Sequence, residues 1–190
     1  FSGDGTPFIA AYPWFNSTGF GTAYSNPVTL PPNASASAYN NLGGTSTAVA
    51  VTSGSSPYAN VYAWSVSGFG TRYLAPSGIS GTGTRVVHLN DQYISIAHGS
   101  SPFTHVYQWS DSTGFGTKYA NPGTLLSGGS YSVEMAISKT AVGFASVTGG
   151  GRVYAWSSLG FGTSTASTSG TNTNTFAFAK EEDAVFFGRS

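Results

Sequence analysis

One short pattern occurs four times in 190 residues and contains every tryptophan of the chain. It reads Tyr12-Pro13-Trp14 with Gly19-Phe20-Gly21-Thr22, Tyr62-Ala63-Trp64 with Gly68-Phe69-Gly70-Thr71, Tyr107-Gln108-Trp109 with Gly114-Phe115-Gly116-Thr117, and Tyr154-Ala155-Trp156 with Gly160-Phe161-Gly162-Thr163. The leading glycines are spaced by 49, 46 and 46 residues. Four copies of so specific a pattern exclude chance, and any fold must first satisfy this period. A helical repeat does not suit it. The 29 Ser and 22 Thr, with 26 Gly and 9 Pro, interrupt the chain every few residues, and no apolar pattern of helical period lasts three turns. The short stretches between alternate instead with period two, as at Val49 and Val51, Ile94 and Ile96, and Phe176 and Phe178. Alternation bounded by Gly, Asn and Pro predicts strands, so the chain is expected to be all-β.

Each unit divides into four strands, and the third copy shows it best. Thr84 to Leu89 reads as a first strand, Gln92 to His98 as a second and Phe103 to Ser110 as a third. Gly114-Phe115-Gly116 is expected to turn into a short fourth strand at Thr117 to Tyr119, and Asn121-Pro122 breaks the pairing. The second unit follows the same plan, with Ser55-Ser56-Pro57-Tyr58 matching Ser100-Ser101-Pro102-Phe103. The fourth departs from it: Thr148-Gly149-Gly150-Gly151 shortens a loop, and the tyrosine of its last strand is missing after Gly162-Thr163. Four-stranded units of roughly 40 to 50 residues are the blades of a β-propeller.

The chain ends bear on closure. Residues 173–179 and 184–188 read as a first and a second strand, joined by a turn at Glu181-Glu182-Asp183. These are the two strands that the N-terminal unit lacks. Counting from Gly160 through Ser190 and on from Phe1 to Gly19 gives 49, inside the range of the other spacings. The expectation is a single domain over 1–190: four blades of four antiparallel strands, approximately 170–190 plus 1–30, 31–76, 77–125 and 126–169. N- and C-terminal strands then share one blade, and ring closure buries the apolar face that an open stack leaves at each end. Few blades diverge steeply, and 13 Phe, 11 Tyr and 4 Trp suit the wide wedges between them. A half-ring pairing with a second copy, or a piece of a longer array, stays open.

The units resemble the WD-type propeller repeats, in a divergent form associated with bacterial and bacteriophage proteins. That resemblance rests on Tyr-x-Trp and Gly-Phe-Gly-Thr and covers the chain almost end to end. Where the WD repeat carries Trp-Asp, this chain has Trp64-Ser65, Trp109-Ser110, Trp156-Ser157 and Trp14-Phe15. The family's aspartate network therefore does not carry over. The resemblance implies a scaffold for binding, usually of protein, without catalytic residues.

Charge narrows the function further. Seven basic and seven acidic residues give a net charge of zero. A nucleic-acid partner needs a basic footprint and membrane attachment a polybasic patch, so neither is expected. Apolar runs of a few residues span no bilayer. A chain that is 39% hydrophobic and 15% aromatic can bury a core, which argues against disorder. Without cysteine there is neither disulfide nor thiolate metal site. The start at Phe1 reads as a processed chain or an excised segment.

Catalytic constellations are scarce. Of Asp4, Asp91, Asp111, Glu134, Glu181, Glu182 and Asp183, all but Glu134 fall in predicted loops, where local backbone hydrogen bonding is the expected role. Glu134 lies in a predicted first strand and reads as a solvated channel carboxylate. His88, His98 and His105 belong to one unit, and nothing completes a metal shell around them. No Gly-x-Ser-x-Gly elbow is present, and Gly-Phe-Gly-Thr is too short for a phosphate loop and lacks its lysine. Its fourfold recurrence argues for a turn with positive φ. Asn16-Ser17-Thr18 and Asn33-Ala34-Ser35 match the glycosylation acceptor no more often than composition predicts. No enzyme, metal or cofactor is expected.

The recurring aromatics have two readings. As structure, Tyr-x-Trp places two rings on one face of the third strand, filling the gap to the next blade. As function, Trp14, Trp64, Trp109 and Trp156, with Tyr12, Tyr62, Tyr107 and Tyr154, are candidate binding residues that could stack on a ligand in each blade. The leading expectation is a non-enzymatic binding or structural module, virion-associated or extracellular, contacting a protein partner or receptor and open to assembly into a larger particle or homo-oligomer. The alternative is a small lectin with one surface-glycan site per blade, served by Ser- and Thr-rich loops. A designed repeat scaffold is a third reading, and marked divergence between units argues against it.

Overall fold

A computed structural model describes residues 8–33, 38–39, 47–79, 86–89, 92–97, 100–124, 130–135, 140–146, 150–167, 173–178 and 185–189. Every regular element among them is a strand. Two short strands, β1 (Trp14–Phe15) and β2 (Gly19–Phe20), pair as a hairpin. Three four-stranded antiparallel sheets follow, each in simple chain order. The first holds β3 (Ala38–Tyr39), β4 (Ala48–Thr52), β5 (Ala59–Ser65) and β6 (Gly68–Arg72). The second holds β7 (Val86–Leu89), β8 (Tyr93–Ala97), β9 (Thr104–Ser110) and β10 (Gly114–Lys118). The third holds β11 (Ser130–Met135), β12 (Ala141–Ser146), β13 (Gly150–Ser157) and β14 (Gly160–Ser167). A last hairpin pairs β15 (Thr173–Phe178) with β16 (Val185–Arg189).

The sheets pack face to face because their second strands are apolar on both sides. All five residues of β4 are buried, which requires a neighbour on each face. Side chains alternate across a strand, so alternate residues serve different neighbours. Ala48, Ala50, Ala59 and Val61 pack with Ile94, Ile96, Tyr107 and Trp109 of the following sheet. Val49, Val51 and Tyr62, on the opposite face, pack with Ile9. The arrangement recurs one sheet on, where Ala97 and Val106 meet Val142, Phe144, Tyr154 and Trp156. Second strands accordingly lie against the first strand of the next unit: β4 against β7, β8 against β11, β12 against β15.

The Gly-Phe-Gly segments correct one expectation. They are not turns but the opening of the fourth strand, with Gly114 opposite Ser110 and Phe115 opposite Trp109. The turn proper is Asp111–Thr113, and the first glycine supplies only its exit, at φ +79. Gly68 and Gly160, both at φ +100, do the same in their units. The register then shifts between Phe115 and Lys118, and equivalent shifts occur in the sheets on either side. Such bulges bend a strand and re-aim the residues beyond it. Tyr73 and Tyr119, just past the fourth strand, still hold to the third, each amide donating to one of its carbonyls, Val61 at 2.8 Å and Val106 at 2.9 Å.

A ladder joining the N-terminal strands to the C-terminal ones, as a shared blade would need, is not among the described pairings. β1–β2 and β15–β16 are separate two-stranded sheets. The predicted turn at Glu181-Glu182-Asp183 lies outside the described residues.

Candidate functional site

The four Tyr-x-Trp motifs begin alike and end differently. In β5, β9 and β13 the tyrosine is buried: Tyr62, Tyr107 and Tyr154 are 0%, 3% and 1% exposed. Burial pushes each phenol up to about 12, opposed at Tyr62 by the Arg72 guanidinium and at Tyr154 by Arg152. Their hydroxyls still find acceptors, as buried phenols must. Tyr62 donates to the Thr29 carbonyl at 3.0 Å and Tyr154 to that of Thr124 at 2.6 Å. Both acceptors lie in an Asn-Pro-x-Thr-Leu connection, Asn26 to Leu30 and Asn121 to Leu125. This second repeated motif was legible in the sequence but unread. At the intervening junction the chain has Pro76-Ser77-Gly78-Ile79 instead, and Tyr107 pairs with His105 Nδ1 at 3.1 Å. His105 is thus buried and bonded within its own strand, β9. His98 and the side chains of His88 and Glu134 lie outside the described residues. No group of three His, Cys, Asp or Glu able to hold a metal occurs among the described residues.

The tryptophans form a joint between units. Each has the phenylalanine of its own Gly-Phe-Gly edge-on: Trp64 with Phe69 at 5.1 Å, Trp109 with Phe115 at 5.4 Å, and Trp156 with Phe161 at 5.0 Å. A tyrosine from the preceding unit then closes the far side. Tyr24 meets Trp64 at 5.2 Å, Tyr73 meets Trp109 at 4.9 Å and Tyr119 meets Trp156 at 4.9 Å, all edge-on. These geometries suit the ring quadrupoles and contribute about 0.5–1.5 kcal/mol per pair beyond area burial. The tyrosine also lies directly over the leading glycine. A Cβ there would stand 3.0 Å from Tyr24 at Gly68, 2.8 Å from Tyr73 at Gly114 and 2.9 Å from Tyr119 at Gly160. Glycine is therefore required twice over, for its φ and for the ring seated on it.

The third unit carries an additional clamp. Asp111 Oδ2 accepts from the Thr47 amide at 2.6 Å and its hydroxyl at 3.0 Å, while Oδ1 accepts from the Trp109 indole at 2.8 Å. Its backbone carbonyl receives the Tyr73 hydroxyl at 2.6 Å. One turn residue thus ties two sheets together, beyond the local role expected of a loop aspartate. Burial, and secondarily the Asp111 charge, raise the Tyr73 phenol. The signal was the spacing Trp109-Ser110-Asp111, echoed in Trp14-Phe15-Asn16, where Asn16 Oδ1 accepts from the Trp14 indole at 3.2 Å. Hydrogen bonds to charged groups contribute about 1.5–3 kcal/mol each when buried and less at a surface. Asp111→Ala is expected to lower unfolding free energy by about 2 kcal/mol, read as a shifted urea midpoint at unchanged slope.

The first unit stands apart. Trp109 and Trp156 are each 5% exposed, whereas Trp14 is 61% exposed, with Phe20, Phe15 and Tyr12 also at the surface. The candidate aromatics therefore separate into an interior set and a surface pair. Tyr62, Tyr107, Tyr154, Trp109 and Trp156 are buried between sheets and Trp64 is half-buried, while Tyr12 and Trp14 face solvent. Single exposed aromatics are ordinary, but a contiguous apolar patch on a surface marks an interaction site.

Fold and joint together define an all-β repeat protein of small antiparallel sheets. No family model matches this chain, and no curated protein is similar to it.

Proposed function

We propose that this chain is a WD-like four-bladed β-propeller acting as a non-enzymatic binding or structural module, contacting a protein partner on a virion or an outer surface. The reading is carried by the repeated tyrosine-on-tryptophan joint. It commits the aromatics of three units, with Tyr24 of the first, to holding sheets together and leaves Tyr12, Trp14, Phe15 and Phe20 presented to solvent. The second-to-first strand step occurs three times. One more such step, from β16 to β3, closes the ring, with β15–β16 and β1–β2 as the shared blade. Closure is favoured because it covers the faces that an open stack exposes. The charge-poor, Ser- and Thr-rich surface resembles that of phage surface and tail parts, a fold-level analogy.

A chain without cysteine makes closure directly testable. Cysteine is placed at Ala10 and, in turn, at each of Val185, Phe186, Phe187 and Gly188. One of these pairs is expected to oxidise to an intramolecular disulfide, which requires Cα atoms about 4.4–6.8 Å apart. If none forms under native conditions, the ring is open.

Binding is tested on a glycan array alongside the mass of the native assembly. An absence of sugar binding, with the chain incorporated in a larger particle, is the expected outcome. The exposed Trp14 and Tyr12 favour a lectin as the second reading, with a site in the first unit rather than in every blade. Saturable glycan binding supports it.

A further inference from the structure

We infer that the seam between the third and fourth units is a built-in weak joint, which opens before the seam between the second and third. This stands apart from the binding-module reading and does not depend on ring closure. The argument compares two seams made of the same parts.

At the earlier seam the polar groups are answered. The Trp109 indole, 5% exposed, donates to Asp111, and the same carboxylate reaches across to the amide and hydroxyl of Thr47 in the second unit. The Tyr73 hydroxyl crosses the seam to the Asp111 carbonyl. The second-strand residues that pack against the third unit here are Ala48 and Ala50, whose side chains carry no polar atom.

At the later seam both features change. The Trp156 indole is buried to the same 5%, but the residue two places on is Ser158 instead of an acid, and the indole N–H has no acceptor. The place of Ala50 is taken by Ser95. Ala50 pairs with Val61 and Ser95 with Val106, each the residue before the motif tyrosine. Alternation along β8 turns Ser95 to the same side as Tyr93 and Ala97, which pack with the fourth unit. Its hydroxyl is fully buried and hydrogen-bonds to nothing.

A buried polar atom in this position has lost its bond to water without replacement, and regains it when the seam parts. Two such atoms therefore favour opening at the later seam, while the Asp111 clamp opposes it at the earlier one. Tyr93 works in the other direction, meeting Trp156 edge-on at 5.3 Å. A ring pair contributes less than an unpaired buried donor costs, so the balance still favours opening. Local opening of this kind exposes groups well before the whole chain unfolds.

Because the chain has no cysteine, a single thiol can be placed at either seam. Ala50→Cys and Ala97→Cys each add one atom at a fully buried position, the first at the earlier seam and the second at the later one. Labelling of the full chain by an aromatic disulfide reagent is followed in urea below the unfolding transition. The expected result is that Ala97→Cys reacts at least about fivefold faster than Ala50→Cys, while the two react alike in the unfolded chain. Two repairs test the cause. Ser95→Ala gives the later seam the residue of the earlier one, and Ser158→Asp places a carboxylate two residues after Trp156. Each is expected to slow labelling of the Ala97→Cys chain about fivefold and to leave that of the Ala50→Cys chain unchanged. Should either thiol variant lose the sheet signal in circular dichroism, Ile94→Cys and Val142→Cys repeat the comparison, being buried at the earlier and the later seam respectively. Equal rates at the two seams, or faster labelling at the earlier one, overturn the inference. So does a rate at the later seam that neither repair slows, since the two groups are then satisfied within it.

Discussion

Raising the pH above 10 is expected to unfold this protein steeply. Tyr62, Tyr107 and Tyr154 are buried, and burial pushes each to about 12, against about 10 in an unfolded chain. The folded state therefore keeps protons that the unfolded state releases. The stability contributed by these protons is fully present below pH 10 and is lost as pH rises from 10 towards 12. Each phenol contributes a slope of about 1.4 kcal/mol per pH unit at most, so three contribute about 4. Against a total stability of about 5–15 kcal/mol for a domain, the roughly 8 kcal/mol lost over two pH units unfolds one in the lower half of that range. Urea midpoints measured across this range check the slope, and Tyr107→Phe should reduce it by about a third. Tyrosinate absorbance that develops near pH 10 while the sheet signal in circular dichroism persists would contradict the burial of these rings.

The second large effect contrasts two glycines with the same φ. Gly114 and Gly19 both sit at φ +79. Left-handed backbone costs an L-residue roughly 1–2 kcal/mol, so alanine incurs that much at either position. At Gly114 the new Cβ would also lie 2.8 Å from Tyr73 Cδ1, and the ring there is pinned by Asp111 and Trp109. Overpacking adds about 1–3 kcal/mol, so Gly114→Ala should cost about 2–5 kcal/mol in all. Gly19→Ala should cost only the backbone part, since its Cβ would meet Trp14 at an ordinary 3.8 Å. Equal losses for the two variants in denaturant unfolding would mean that the Tyr73 joint is not formed in solution.

Much of the strand pattern could be read from residue order. Ile94 and Ile96 alternate with Ser95, and the resulting strand is the observed β8, apolar towards the neighbouring sheet. The glycines of Gly-Phe-Gly-Thr announced a positive φ, correctly for the first glycine of each copy. They misled on the turn, because a glycine that ends a turn and one that lies within it look the same in sequence. Pairing register decides between them, and that depends on where Trp109 and Phe115 come to rest. The candidate site was legible as a set of residues but not as a surface. Tyr12 and Trp14 are indistinguishable by motif from Tyr107 and Trp109, yet one pair is exposed and the other buried. The missing tyrosine at residue 165 was visible in the sequence, whereas the seating of each unit's tyrosine on the tryptophan of the next was not.

Local order in the chain thus settles the period, the class of element and the positions that need glycine. These follow from steric limits on single residues and from side chains alternating across a strand, which a reader of the string can apply directly. Which tryptophan is sealed and which is bare belongs to the packed molecule. It depends on a contact between residues some 40 positions apart, Tyr24 on Trp64, Tyr73 on Trp109 and Tyr119 on Trp156, and burial is a property of what lies alongside in space.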